Sequence, residues 1–208
     1  MPSSTVLEKY VRSPFPAFQK SHVPYLTEEL RKIEQALGGA YSAMRSTGPY
    51  IKMPFGVLMS TVDQVALSTT TAYPIKFNIV QNAAGISYQN DSQIKVDHDG
   101  VYNIQFSIQF INTSNEPQEV DVWFRKNGVN LENSNSMFTV PAKKSTGISG
   151  HLIGSLNIFL DILSTDYAEL VWSTTSLDAS VETLPARTSP SIPVTPSVIV
   201  TLDYLSGL

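Results

Sequence analysis

The tetrapeptide Asp97-His98-Asp99-Gly100 places two carboxylates and an imidazole within three residues, side chains that metal ions take as ligands. A calcium loop also needs ligands spaced over a dozen residues and a distal glutamate, and this stretch supplies neither. The tetrapeptide therefore reads as a turn, in which Asp and Gly serve backbone geometry. Asp161, Asp166 and Glu169 form the one acidic cluster on an expected loop and strand edge. Paired carboxylates can hydrolyse glycosidic bonds, but loop carboxylates also serve solvation alone. His22, His98 and His151 lie far apart, and none has the local spacing of a metal pair. G-x-S-x-G, H-E-x-x-H, P-loop and dinucleotide fingerprints do not occur. These residues predict neither an enzyme nor a metal or other cofactor.

Charged residues make up only 15% of the 208, so amides and hydroxyls must solvate much of the exterior. A net charge of -4 argues against nucleic-acid binding, which needs clustered Lys and Arg to neutralise phosphates. The chain contains no cysteine, which removes disulfides, thiolate metal sites and cysteine nucleophiles. No apolar run is long enough to span a bilayer, and the first residues lack an apolar signal core, so we expect synthesis in a cytoplasm and no membrane insertion. Asn90-Asp91-Ser92 and Asn112-Thr113-Ser114 fit glycosylation sequons, which without a secretion signal read as coincidence.

Two regions with different patterns follow, residues 1–50 and 51–208. The first opens with a proline-rich arm, "SPFPAFQKSHVPYL", expected to be extended and unable to pair in a sheet. Its Phe15, Phe18 and Tyr25 have few local partners and should dock on another surface. A short helix is expected next, with Thr27 as N-cap and Glu28 and Glu29 in its first turn. Leu26, Leu30, Ile33, Leu37, Ala40 and Met44 recur at alternating spacings of four and three, a heptad seam. It fits either a coiled-coil stub joining identical chains or a helix docked on another surface. Gly38-Gly39 is expected to break or bend it.

From Pro54 onward the pattern is that of strands and turns. Tyr102, Ile104, Phe106, Ile108 and Phe110 alternate with Asn103, Gln105, Ser107 and Gln109, as in a strand with one apolar face. "IKFNIV", "QIKV", "GHLIGSLNIFL", "YAELVWST" and "SVIVTLDYL" predict further strands, and "EVDVWFRKNGVNL" a hairpin turning at Asn127-Gly128. "LPARTSPSIPVTP" predicts an exposed irregular loop. Many short strands without a helical pattern indicate an all-β sandwich or barrel. Trp123-Phe124 and Leu170-Val171-Trp172 place apolar side chains on both faces of their strands. A monomeric sandwich needs only one such face, so Trp123 and Trp172 are expected in the core or at an interface between copies.

In this order the pieces resemble a family. "YPIKFNIVQNAAGISYQNDSQIKVDHDGVYNIQFSIQF", "VDVWFRKNGVNL", "LSTDYAELVW" and "PSVIVTLDYL" are similar, in sequence order, to the successive elements of the C1q and tumour necrosis factor superfamily, although Thr165 stands where that family has a glycine. The resemblance implies an antiparallel jelly-roll sandwich that trimerises, with its closing strand at the centre of a sheet. A Gly-X-Y stalk and a secretion signal are absent. By architecture the chain instead resembles a virion component of tailed phages, either capsid decoration or a short fibre. That likeness implies a homotrimer made in the host cytoplasm and carried in the virion. The arm would dock on other virion proteins of capsid or tail. The alternative is a recognition module whose loops bind a glycan or protein of the host surface.

Overall fold

In the computed structural model, which describes residues 10–13, 23–46 and 53–208, the chain divides into two units, Met1–Lys52 and Met53–Leu208. Among the described residues the first unit contains one helix, α1 (Val23–Ser46). Its 24 residues span about 36 Å at 1.5 Å per residue. Pro24 lies in the first turn, where a missing N–H costs nothing because that group has no intrahelical partner. The extended conformation expected for Pro24 and Tyr25 is therefore corrected to helix. Thr27 lies inside α1 rather than capping it, and Glu28 and Glu29 fall beyond the first turn. Gly38-Gly39 does not interrupt α1, so the expected break is also corrected. Nothing lies within 4 Å of a Cβ placed on Gly38, so no close contact requires a glycine there.

The second unit is an all-β antiparallel sandwich. Its strands run β1 (Phe55–Ser60), β2 (Gln64–Val65), β3 (Tyr73–Pro74), β4 (Ile79–Ala84), β5 (Ile86–Gln89), β6 (Gln93–Val96) and β7 (Gly100–Asn112). They continue with β8 (Gln118–Lys126), β9 (Val129–Asn130), β10 (Ser136–Val140), β11 (Gly150–Ile162) and β12 (Ala168–Thr174). Last come β13 (Ala179–Val181), β14 (Arg187–Thr188), β15 (Ser191–Ile192) and β16 (Val198–Ser206). One sheet has the order β11-β7-β16-β1-β4, with β13 beside the Asn112 end of β7. The other has the order β10-β8-β12-β6-β5.

β7 sets the register of the first sheet. β11 pairs with it over its full length, from Gly150 opposite Asn112 to Ile162 opposite Gly100. β16 pairs along its other side, from Val198 opposite Ile108 to Tyr204 opposite Tyr102. The inward residues of β7, Tyr102 to Phe110 at every second position, are at most 1% exposed. They meet Val120, Val122 and Phe124 of β8 and Leu170 and Trp172 of β12 in a single core. Phe106 packs on Phe124 with ring centroids 6.1 Å apart.

The stretch "IKFNIV" is not one strand. Ile75 and Phe77 both reach the core, but the Ile75 amide bonds Leu170 O at 2.8 Å and the Phe77 amide bonds Asp91 O at 2.7 Å. Here the chain leaves β3 in one sheet and enters β4 in the other. Asn127 (φ 51°) and Gly128 (φ 81°) give the tight β8–β9 turn the two positive angles it needs. The expected irregular loop near the C-terminus is instead a small exposed hairpin, β14–β15, closed at its base by reciprocal hydrogen bonds between Leu184 and Thr195.

Gly100 serves close approach rather than turn geometry. A Cβ there would lie 2.3 Å from the Tyr204 ring and 2.7 Å from Ser206 O. Gly150 is tighter still, since its Cβ would lie 1.9 Å from the backbone oxygen of Pro141. Backbone cannot swing aside as a side chain can. Gly150→Ala is expected to destabilise the β unit by about 3 kcal/mol, read as a lower urea midpoint at unchanged slope.

Candidate self-association surface

The residues that suggested chemistry are held in structural roles. Asp99 accepts hydrogen bonds from the Ser164 amide at 2.6 Å and hydroxyl at 2.8 Å, and these hold its carboxyl below its ordinary range. The His98 carbonyl accepts the Tyr102 hydroxyl at 2.7 Å, and burial pushes that phenol up to about 12. Asp166 accepts from Asn127 Nδ2 at 2.7 Å and the Leu163 amide at 3.1 Å, which lower its pKa and fix the β8–β9 turn. Glu169 is buried and accepts the Ser92 hydroxyl at 3.0 Å. Asp161 faces outward on the β11 sheet and Glu169 belongs to the other sheet, so the acidic cluster does not converge. Asn112 is fully buried, and its Nδ2, the atom a glycan would occupy, donates to the carbonyls of Glu116, Val140 and Pro141. Among the described residues no three His, Cys, Asp or Glu side chains are grouped to hold a metal ion.

The outer faces of the two sheets differ in chemistry. The β8–β12 sheet turns Glu119, Asp121, Arg125 and Lys95 outward. The β11–β7–β16–β1 sheet carries no charge across its middle. Following the register, one row reads Ser155, Ser107, Ile199, Met59, and the next Asn157, Gln105, Thr201, Val57. A third row reads Phe159, Asn103, Asp203, Phe55. Phe159 is 68% exposed, Ile153 59% and Phe55 41%. Asn103 Oδ1, in the same row, is buried with no hydrogen-bond partner, the one such side-chain atom among the described residues. A buried acceptor left unpaired costs roughly 1–3 kcal/mol. Aromatic rings with few charges between them are the composition of a protein–protein interface core, and Asp203 stands towards its edge.

This surface is not where the sequence pointed. Trp172 is 1% exposed and packs beside Tyr73 with centroids 6.1 Å apart, so its expected place at an interface is corrected to the core. Val171, on the opposite face of β12, is also fully buried within the chain, so the second apolar face there needs no partner. Trp123 is half-buried, and its Nε1 donates to Asn130 Oδ1 at 2.9 Å. Phe15 and Phe18 lie outside the described residues. The sequence signal of this exposed apolar face is the run Ile158-Phe159-Leu160, apolar at both parities of β11.

A cleft of about 260 Å³ opens between Val62–Val65 and Tyr73–Lys76, with Trp172 in its lining. Trp172 is buried beneath it, and the Tyr73 hydroxyl accepts the Leu67 amide at 3.0 Å.

No protein-family model matches the chain, and no curated protein matches it.

In the first unit, Tyr10 to Ser13 lie against α1 and are not a free arm. The Tyr10 hydroxyl donates to Glu29 Oε2 at 2.5 Å, and the Ser13 amide donates to both Glu29 oxygens at 3.3 Å. Lys32 Nζ reaches Ser13 Oγ and stands 3.4 Å from Glu29 Oε1. Tyr25 is half-buried here, its hydroxyl donating to Ser13 O at 3.1 Å. Leu26, Leu30, Ile33 and Leu37 are 53%, 66%, 36% and 65% exposed. The Tyr10 hydroxyl, ahead of the Ser13 and Lys32 contacts, lowers the Glu29 carboxyl from 4.5 to about 2. A depressed carboxyl stabilises the folded arm above its unfolded pKa and loses that contribution as pH falls through the folded value. The latch is therefore expected to weaken progressively as pH falls from 4.5 towards 2. The Ser13 amide resonance should titrate with a midpoint near 2; a midpoint near 4.5 would show that Glu29 is not engaged.

Proposed function

We propose that this chain is a homotrimeric structural component of a tailed-phage virion, with the β unit as a projecting head and the N-terminal unit as its attachment. The observation that carries the reading is the outer face of the β11–β7–β16–β1 sheet, whose two central rows carry no charge and which exposes Phe159, Ile153 and Phe55 near Asn103 Oδ1, an acceptor lacking a donor. A face of that composition costs free energy in water and gains it against a second copy. The resemblance to the C1q and tumour necrosis factor superfamily points the same way. Its closing strand belongs at the centre of a sheet, and β16 lies between β7 and β1. Support for virion attachment comes from the division into a helix-bearing N-terminal unit and a separate β head. The receptor-binding alternative has less behind it, because the exposed hairpin at Leu184–Pro196 carries no aromatic ring.

Two measurements test this. Sedimentation at micromolar concentration should report three copies. Phe159→Asp, which would bury one charge per copy, should weaken association by at least about 100-fold while leaving the β fold intact. A monomeric wild-type chain would overturn the trimer. Quantitative mass spectrometry of purified particles should find the protein in a copy number divisible by three, in either the capsid or the tail fraction. Its absence from washed particles would overturn the virion role.

A further inference from the structure

The seam on α1 has a width and composition that specify its partner. With spacings of four, three and four, Leu30 and Leu37 take the a positions of a heptad, and Leu26 and Ile33 the d positions. The flanking e and g positions hold Thr27, Glu34, Glu29 and Ala36. A helix that packs on a domain core widens its apolar stripe by adding large residues at e or g, whereas a seam confined to a and d is the narrower stripe that fits another helix. The four seam residues are exposed while the arm occupies the Tyr25–Glu29–Lys32 flank beside them. Both a positions are leucine, and the d positions are one leucine and one isoleucine, all of them residues that coiled-coil seams use.

The latch engages the acidic residue that flanks the seam. In a parallel bundle, a g residue faces the following e residue of its neighbour, so Glu29 would meet Glu34 of the next copy, carboxylate against carboxylate. Tyr10, Ser13 and Lys32 draw the Glu29 carboxylate into hydrogen bonds with its own arm. We propose that α1 associates in parallel and in register with the α1 helices of other copies of this chain. The contact runs through Leu26, Leu30, Ile33 and Leu37, and the arm latch on Glu29 permits it. This contact is separate from the sheet face and forms whether or not that face is an interface.

The experiment uses the full chain, which has no cysteine of its own. Leu37→Cys places a thiol at the seam, and Arg31→Cys places one on the outer flank. After mild oxidation, Leu37→Cys is expected to run largely as disulfide-linked pairs, up to two chains of every three in a trimer. Arg31→Cys should remain single. If neither variant cross-links while sedimentation still reports three copies, the helix contact is overturned and the sheet interface stands. If both cross-link equally, the seam has no preference and the proposal is overturned. If Leu37→Cys still cross-links when combined with Phe159→Asp, the helix contact holds independently of the sheet. A monomeric mass without cross-links overturns both.

Discussion

The β unit depends on the pairing of β7 along both of its sides. Thirteen residues alternate without a slip, so a single choice of register sends Tyr102, Ile104, Phe106, Ile108 and Phe110 into the core together. A shift of one residue would turn all five rings and branched chains to solvent and bury Asn103, Gln105, Ser107 and Gln109 instead. β11 and β16 inherit that register, and β1 takes its own from β16. The same constraint determines the outer face. Residues that look scattered along the chain, Phe55, Asn103, Phe159 and Asp203, form one row because three successive pairings align them.

Much of the fold was legible wherever the deciding interactions are local. Alternation identified β7 and the buried Val198, Val200 and Leu202 of β16, and Asn127-Gly128 marked a turn whose two positive φ angles the structure bears out. Reading went wrong where long-range pairing decides. Leu170, Val171 and Trp172 looked like evidence for a partner, yet both faces of β12 are buried within the chain itself. The apolar face that is left open lies on β11, and nothing local shows which strands flank it. The Tyr10–Glu29 contact left no trace in the sequence pattern, because the two are nineteen residues apart and no periodicity links a hydroxyl to a carboxylate over that distance. The glycine pair illustrates the limits of propensity: a cost of about 1 kcal/mol per glycine lowers helix stability without fixing where a helix must stop.

The two units meet the problem of exposed apolar surface in different ways. In the sheet, Asn157 and Asn103 lie beside Phe159, and Ser155 and Gln109 beside Ile153, so the groups across the middle of the face can give up water without burying a charge. In the helix, charged residues lie close to the seam: Arg31 donates to Glu28 at 2.6 Å, and Glu29 is tied back to the arm. Polar groups next to each surface thus limit indiscriminate sticking and leave the apolar centre uncovered.

The small hairpin β14–β15 stands apart from both sheets and pairs only within itself. Its base is closed by the reciprocal Leu184 and Thr195 bonds, and a Ser197 hydroxyl bond to Val62 O at 2.7 Å anchors the chain where it returns to the sandwich. Changes at the tip therefore have no path into the core. Such a loop can lengthen, shorten or drift in composition over evolutionary time without loss of fold, so this projection would be the first part of the protein to diverge between lineages.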